Sequence, residues 1–261
     1  MTSQSIKSRA VDSLWVVGVF VAVCVVWEAA VKLLNLPLFV LPPVEAVIQD
    51  FLSDPSLFVT HAIYTIGVAL TGFFIAGIVG LLLAVVIVSS RILERILLTF
   101  LALLHSVPKV ALAPLFVIWL GTGYQPKIVI AALMSVLVIV VDAVAGLRSV
   151  DPEMVNLAKV HHASSPAIMF KIRFPNALPH LFGALKVAIS LSLIGAIVGE
   201  YVGGQSGLGY LILIAQGSFD TPRAFAAVLF LSVIATVLFY LVVFAESLLV
   251  PWHVSQRSRT P

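Results

Sequence analysis

Charge is what this sequence has least of. Only 10% of its 261 residues are Asp, Glu, Lys or Arg, while 61% are hydrophobic. Soluble domains carry about 25% charged residues, so this chain cannot cover a water-facing surface of its size. Disorder is excluded by the same figures, because disordered chains combine low hydrophobicity with high charge. Cysteine occurs once, at Cys24, so no disulfide framework can form within the chain. No Gly-Lys pair occurs anywhere, which removes the phosphate-cradling loop of a nucleotide hydrolase. The net charge of +3 is scattered between apolar runs rather than gathered in a patch, so no nucleic-acid partner is expected. What remains is a polytopic membrane protein. An open sheet cannot span lipid, because each unpaired backbone group would cost several kcal/mol there, and no barrel periodicity is present. The expected fold class is therefore all-α.

A helix crossing the hydrocarbon core needs about 20 largely apolar residues, and six stretches qualify. They run from Leu14 to Leu34, Thr60 to Ser90, Ile96 to Leu120, Lys127 to Leu147, Leu181 to Val202 and Ala224 to Val250. The third is interrupted by Pro108, Lys109 and Pro114. A basic start followed by the run Leu14–Trp27 also suggests a signal peptide, but Glu28 stands where small neutral residues precede cleavage, so an uncleaved first span is expected. Lys7, Arg9, Arg91, Arg95, Arg148, Lys159, Lys171, Arg173, Arg257 and Arg259 fall on one side of these spans, against Lys32, Lys127 and Arg223 on the other. The excess of basic residues marks the cytoplasmic side, which puts both termini and the segment 148–180 there. Between the first two spans, Val44, Val47, Ile48, Phe51 and Leu52 form one stripe of a short amphipathic helix, expected to lie on the outer membrane surface.

The 148–180 segment carries most of the information. Asp151, Pro152 and Glu153 combine a cap, a first-turn proline and an acid at the positive end of the helix dipole. They open a helix expected to reach His162. Ser164 or Ser165 caps a second short helix, with Pro166 at its start, which Pro175 and Pro179 are expected to end before the fifth span. Neither helix is long enough to stand alone.

Several ordered motifs now resemble one family. The run Asn156-Leu157-Ala158-Lys159-Val160-His161-His162-Ala163-Ser164, followed by Phe174-Pro175-Asn176-Ala177-Leu178-Pro179, resembles the EAA loop of membrane subunits of binding-protein-dependent ABC importers. Trp27-Glu28, Leu41-Pro42-Pro43, the segment Pro108 to Pro114, Trp119 to Gly123, Gly146 to Pro152 and Glu200 to Tyr210 resemble the nitrate, sulfonate and taurine branch of that family. The resemblance covers nearly the whole chain. It implies one transmembrane permease domain over 1–261 in a bacterial cytoplasmic (inner) membrane. It also implies a homodimer enclosing the pore, two ABC ATPase subunits, an extracytoplasmic solute-binding protein and a small, anionic solute such as nitrate, taurine or an alkanesulfonate. Relatives for pyrimidine precursors, riboflavin and aromatic acids leave the solute open. The chain itself would then be no enzyme and hold no cofactor, with ATP and Mg²⁺ on the partner ATPase.

The resemblance further implies that residues 151–175 couple to the ATPase, through Asn156, Leu157, Ala158, Val160, His161, Ala163 and Ser164. Small and apolar side chains there can fill a groove, while Asn156, His161 and Ser164 supply a polar rim. Two positions depart from the family pattern. Asn156 replaces an acidic residue, which weakens an expected polar contact. His162 replaces a glycine, and histidine adopts positive φ less cheaply, so a different bend is expected there.

Charges at membrane depth mark a pathway or an ion pair. Lys109, Asp142 and Glu200 are the candidate pathway residues, with Lys109 placed to attract an anion. Asp142 is expected to pair with Lys186 or cap a cavity, Lys186 to snorkel toward the inner surface, and Glu28, Glu200 and Glu246 to reach water near span ends. Gly67, Gly72, Gly77 and Gly80 are expected to permit close helix packing. Gly203 to Gly207 admits either a gate or a plain loop. His161-His162 does not make a metal site, since adjacent helical residues diverge by about 100°. The competing class is a self-contained secondary transporter or channel driven through Asp142 and Lys109, which would need paired carboxylates or broken helices repeated in both halves. An intramembrane enzyme built on His61, His105 and Asp142 lacks a nucleophile–base spacing.

Overall fold

A computed structural model describes residues 18, 19 and 21–252. Lys7, Arg9, Arg257 and Arg259, on which the orientation of the termini rests, and residues 14–17 of the first expected span lie outside the described residues, as does the His105 side chain. Among the described residues every regular element is helical: α1 (21–33), α2 (Val44–Ser53), α3 (Pro55–Ser89), α4 (Arg91–Ser106), a 3₁₀ turn (Lys109–Leu112), α5 (Ala113–Leu120), α6 (Tyr124–Arg148), α7 (Pro152–Val160), α8 (Ser165–Ile168), a π-turn (Met169–Arg173), α9 (Phe174–Gly203), α10 (Leu208–Gly217) and α11 (Thr221–Leu249). Four stretches of the described residues are long and apolar enough to cross a membrane: Pro55–Ser89, Tyr124–Arg148, Ser165–Gly203 and Thr221–Leu249.

One expectation holds and one needs correction. The run Ile96 to Leu120 is interrupted at Pro108, as its prolines predict. Pro108 holds Val107 in an extended conformation (φ −74°, ψ 127°), because the proline ring excludes the helical region for the residue before it. The chain therefore breaks between α4 and α5. Conversely, Pro175 and Pro179 do not end the second loop helix, which continues from Ser165 through to Gly203. Pro175 falls in the first turn of α9 directly after the π-turn. There the hydrogen-bond register has already slipped by one residue, so the missing N–H breaks little.

The chain divides into two compact units. In the first, formed by Met1–Val59 with Leu211–Phe230, motif residues bond to one another. Trp27 Nε1 donates to the Pro42 carbonyl at 2.9 Å, and Glu28 accepts from the Val44 N–H at 3.1 Å, so one motif caps the helix that another motif begins. Arg223 holds Asp50 at 3.0 Å and Asp220 at 3.3 Å. Only part of the α2 stripe packs: Val47 is buried and Phe51 meets Phe58 and Phe230, whereas Ile48 and Leu52 are exposed. Asp54 caps α3, accepting from the Ser56 hydroxyl and the Leu57 N–H. These bonds hold its carboxyl below the usual carboxylate range.

The second unit, Thr60–Tyr210 with Leu231–Pro261, is organised on α6 and α9, which pack along most of their length. Gly195 and Gly199 lie one turn apart on α9. A Cβ added at Gly195 would fall 2.6 Å from the Ala131 Cα, and one at Gly199 would fall 2.8 Å from the Lys127 Cα. Absence of a side chain thus brings two backbones together, which is how helices associate where lipid removes the hydrophobic drive. Ser135 donates across the seam to the Ala188 carbonyl at 3.0 Å, and Ser192 donates to the Ala69 carbonyl of α3 at 2.6 Å. Of the four α3 glycines, Gly72 packs on Ala131 and Gly80 on Ile139, as expected, but Gly67 and Gly77 have nothing within 4 Å.

Gly195→Leu should therefore force α9 off α6, while Gly67→Leu is tolerated. The first should cost about 1–3 kcal/mol from overpacking, read as a lowered thermal midpoint of the detergent-solubilised protein. Equal midpoints for the two variants would contradict the seam.

Candidate functional site

The loop between α6 and α9 is ordered by its own residues. Asp151 accepts from the Glu153 N–H at 2.8 Å and caps α7. The helix closes with the His161 N–H on the Leu157 carbonyl at 3.1 Å and the Ala163 N–H on the Ala158 carbonyl at 3.0 Å. This closure needs a left-handed residue at His162, whose φ is +55°. Histidine thus holds a left-handed conformation that glycine adopts more readily, at about 1–2 kcal/mol. Ser164 caps α8 through the Ala167 N–H. At the other end of the loop, Asn176 Nδ2 donates to Ser149 Oγ at 2.8 Å, tying the start of α9 to the end of α6.

The apolar residues of this loop sort onto two sides. Val150, Val155 and Ile168 form a small buried cluster, with Ala158, Ala163 and Ile172 packed against it. Leu157 and Val160 are 61% and 73% exposed, with Met154 and Phe170 also exposed. The four apolar residues expected to fill one groove therefore divide: Ala158 and Ala163 face the loop's own core, Leu157 and Val160 face away. Asn156, His161 and Ser164 are exposed.

A second polar cluster sits at the far end of α9. Glu200 is fully buried. It accepts from the Gly209 N–H at 2.8 Å and the Thr65 hydroxyl at 3.1 Å, and Thr65 Oγ1 in turn accepts from the Leu208 N–H at 2.8 Å. His61 Nδ1 accepts from the Gly207 N–H at 3.0 Å. Three consecutive N–H groups at the start of α10 are thereby satisfied by side chains, with the carboxylate at the positive end of the helix. Gly207 takes φ +110° to approach Glu200 this closely. The glycine-rich segment is thus a bonded helix entry, and Glu200, expected near water or a pathway, is its buried cap. Lys127, counted among the loop charges, is also buried. Its ammonium donates to the Tyr64 hydroxyl at 2.7 Å and the Thr122 carbonyl at 3.3 Å, and Tyr64 stacks on Tyr124. Nothing in the spacing of Lys127 or Thr65 signalled this. It follows from the α6–α9 seam, which lays Lys127 under Gly199.

The remaining charges correct two expectations. Lys186 neither snorkels nor pairs with Asp142. It forms an ion pair with Glu246, with side chains 14% and 3% exposed, so Glu246 does not reach water. A charge left in low dielectric is stabilised by the nearest opposite charge, and here Glu246 supplies it. Lys109, in the 3₁₀ turn, and Asp142, on α6, are both half-buried, and the structure does not bring them together with Glu200 as one site.

Residues 76–252 match the family described as binding-protein-dependent transport system inner membrane component. The chain belongs to this family. It is 38% identical over 233 residues to the riboflavin transport system permease protein of Chloroflexus aurantiacus, covering 88% of this chain and 87% of that one. It is 29% identical over 237 residues to the formylaminopyrimidine transport permease protein of Halalkalibacterium halodurans, covering 91% and 95%. It is 27% identical over 244 residues to the putative aliphatic sulfonates transport permease protein of Bacillus subtilis, covering 92% and 88%. The resemblance to the nitrate, sulfonate and taurine branch holds, with the riboflavin permease more similar than the sulfonate one. The fold is similar to that of a chain of the inward-facing MetNI methionine ABC transporter, with a TM-score of 0.67 and 17% identity over 74% of this chain and 96% of that one. The chain is accordingly a multi-pass inner-membrane permease subunit of an ABC importer.

Lys186→Met should remove the cation facing the buried Glu246 carboxylate and destabilise the protein by about 3–5 kcal/mol, whereas Lys186→Met combined with Glu246→Leu should recover most of that loss. Thermal unfolding in detergent reads both. A double variant no more stable than the single one would contradict the pairing.

Proposed function

We propose that two copies of this permease enclose the translocation pore, that each copy crosses the membrane six times as a single domain with both termini in the cytoplasm, and that two separate ATPase subunits dock on the α7–α8 loops. A solute-binding protein delivers the solute to the opposite face, and ATP and Mg²⁺ act on the ATPase chains alone. The observation that carries this reading is the pair Leu157 and Val160, exposed on a capped helix whose loop continues without a break into a membrane-length helix. Exposed apolar side chains on a rigid, rimmed helix fit a groove in a partner. A push on α8 reaches the membrane because Ser165–Gly203 is one helical rod. ATP binding moves the spans only if the docked helix makes different contacts in the two ATPase states, and Leu157, Val160, Asn156, His161 and Ser164 are the groups positioned to make them. Ala158 and Ala163 serve by holding the loop's core.

For the solute, the 38% identity to a riboflavin permease favours a flavin-like heteroaromatic compound. The formylaminopyrimidine relative supports the same chemistry. The small-anion reading rests on the less similar sulfonate relative and on Lys109, a cation that could attract an anion at membrane depth.

Leu157→Glu with Val160→Glu should reduce ATP-dependent uptake at least tenfold while membrane insertion and expression stay unchanged, since a buried interface charge costs about 2 kcal/mol or more. Uptake is measured with labelled riboflavin in cells carrying the complete importer. Unchanged uptake would misplace the docking helix. Accumulation of an alkanesulfonate instead of riboflavin would overturn the solute assignment alone.

A further inference from the structure

Beneath the α7–α8 loop lies a cavity of about 400 Å³. Val88 and Ile168 contribute apolar lining, Ser165 a hydroxyl, and Lys159 and Arg173 two cationic groups. Neither cation makes an ion pair with a described residue. The same two cations line an adjoining cavity of about 370 Å³, where Glu94, a carboxylate of the lining, is held by Arg148 at 2.6 Å. Two positive charges therefore share a concave space in which no carboxylate of the described residues forms an ion pair with either of them. The place in the fold narrows what could. Val88 and Ser89 end one membrane-length helix, and Ser165 to Arg173 begin another, so the cavity sits at the depth where headgroups meet water. Phe170, 67% exposed, stands at the same cavity and offers an apolar surface that a dissolved phosphate would not use and an acyl chain would.

We propose that this cavity binds the phosphate of an anionic phospholipid, held by Lys159 and Arg173 with the Ser165 hydroxyl as a further donor. Lysine and arginine in a pocket between helices at the membrane surface are suited to such a headgroup, and the guanidinium can grip two phosphate oxygens at once. The lipid would lie against the underside of the loop that the proposed ATPase contact uses, so its occupancy would stiffen that loop from the membrane side. The membrane location of the cavity follows from the span ends and does not depend on which solute is carried.

The test uses the purified full-length permease in mild detergent and native mass spectrometry with added phosphatidylglycerol, phosphatidylcholine or glycerol 3-phosphate. Wild type should retain phosphatidylglycerol in preference to phosphatidylcholine. Lys159→Gln should weaken that retention about fivefold, and Lys159→Gln with Arg173→Gln about thirtyfold, from the usual contribution of one surface cation to anionic-lipid binding. Lys159→Arg with Arg173→Lys should retain it. Lys159 is exposed on α7, so its single variant reports binding without a threat to the fold. Equal retention by wild type and both glutamine variants would overturn the proposal. Competition by glycerol 3-phosphate at equal concentration would overturn the lipid assignment in favour of a soluble phosphate ester. Neither measurement involves an ATPase or transport, so failure here leaves the permease reading standing, and failure of uptake leaves this site standing.

Discussion

Two absent side chains govern the larger unit. With no Cβ at Gly195 or Gly199, α9 rests on the backbone of α6 at Ala131 and Lys127, and the polar architecture follows from that closeness. Ser135 can reach the Ala188 carbonyl only because the helices touch. Lys127, pressed under Gly199, is driven into the interior and must find Tyr64 and Thr122. Glu200, the next residue along, is carried to where it can cap α10 with Thr65. In lipid, helices gain little by hiding apolar surface from one another, so close packing and satisfied polar groups carry the association.

The motifs that marked the chain prove to be contacts more than isolated signatures. Trp27-Glu28 bonds to the segment Leu41-Pro42-Pro43-Val44. The Gly146 to Pro152 motif bonds to the one containing Asn176. The Glu200 to Tyr210 motif folds back on itself around Gly207. Each reaches the start of another helix, where orphan N–H groups are most expensive to leave unpaired. Residues that satisfy them have few substitutes, which gives the motifs a physical reason to take the form they do.

How much was legible from sequence depended on the range of the interaction. Caps and breaks are local, so Asp151, Ser164, Pro166 and the interruption at Pro108 were readable, and the amphipathic stripe of α2 announced its helix. The fate of Pro175 was not readable, because the π-turn just before it absorbs its missing N–H. Partner choice was not readable either. Lys186 had Asp142 as a plausible mate in a neighbouring span, and only the packing showed that Glu246 is the residue facing it. The same holds for the division of the loop into inward Ala158 and Ala163 and outward Leu157 and Val160, since that face is set by Val150, Val155 and Ile168. His162 shows the opposite lesson: an unfavourable residue does not veto a conformation that surrounding bonds impose.

On this account the chain holds no engine of its own, and everything needed to receive work from one is concentrated on α7, α8 and the rod of α9. The most direct measurement is to tag the C-terminus, extract the protein from its native host in mild detergent, and identify the chains that accompany it by mass spectrometry. The account predicts an ABC ATPase in amounts comparable to the permease. Its absence across several mild detergents, together with solute uptake by the permease alone in proteoliposomes, would contradict it.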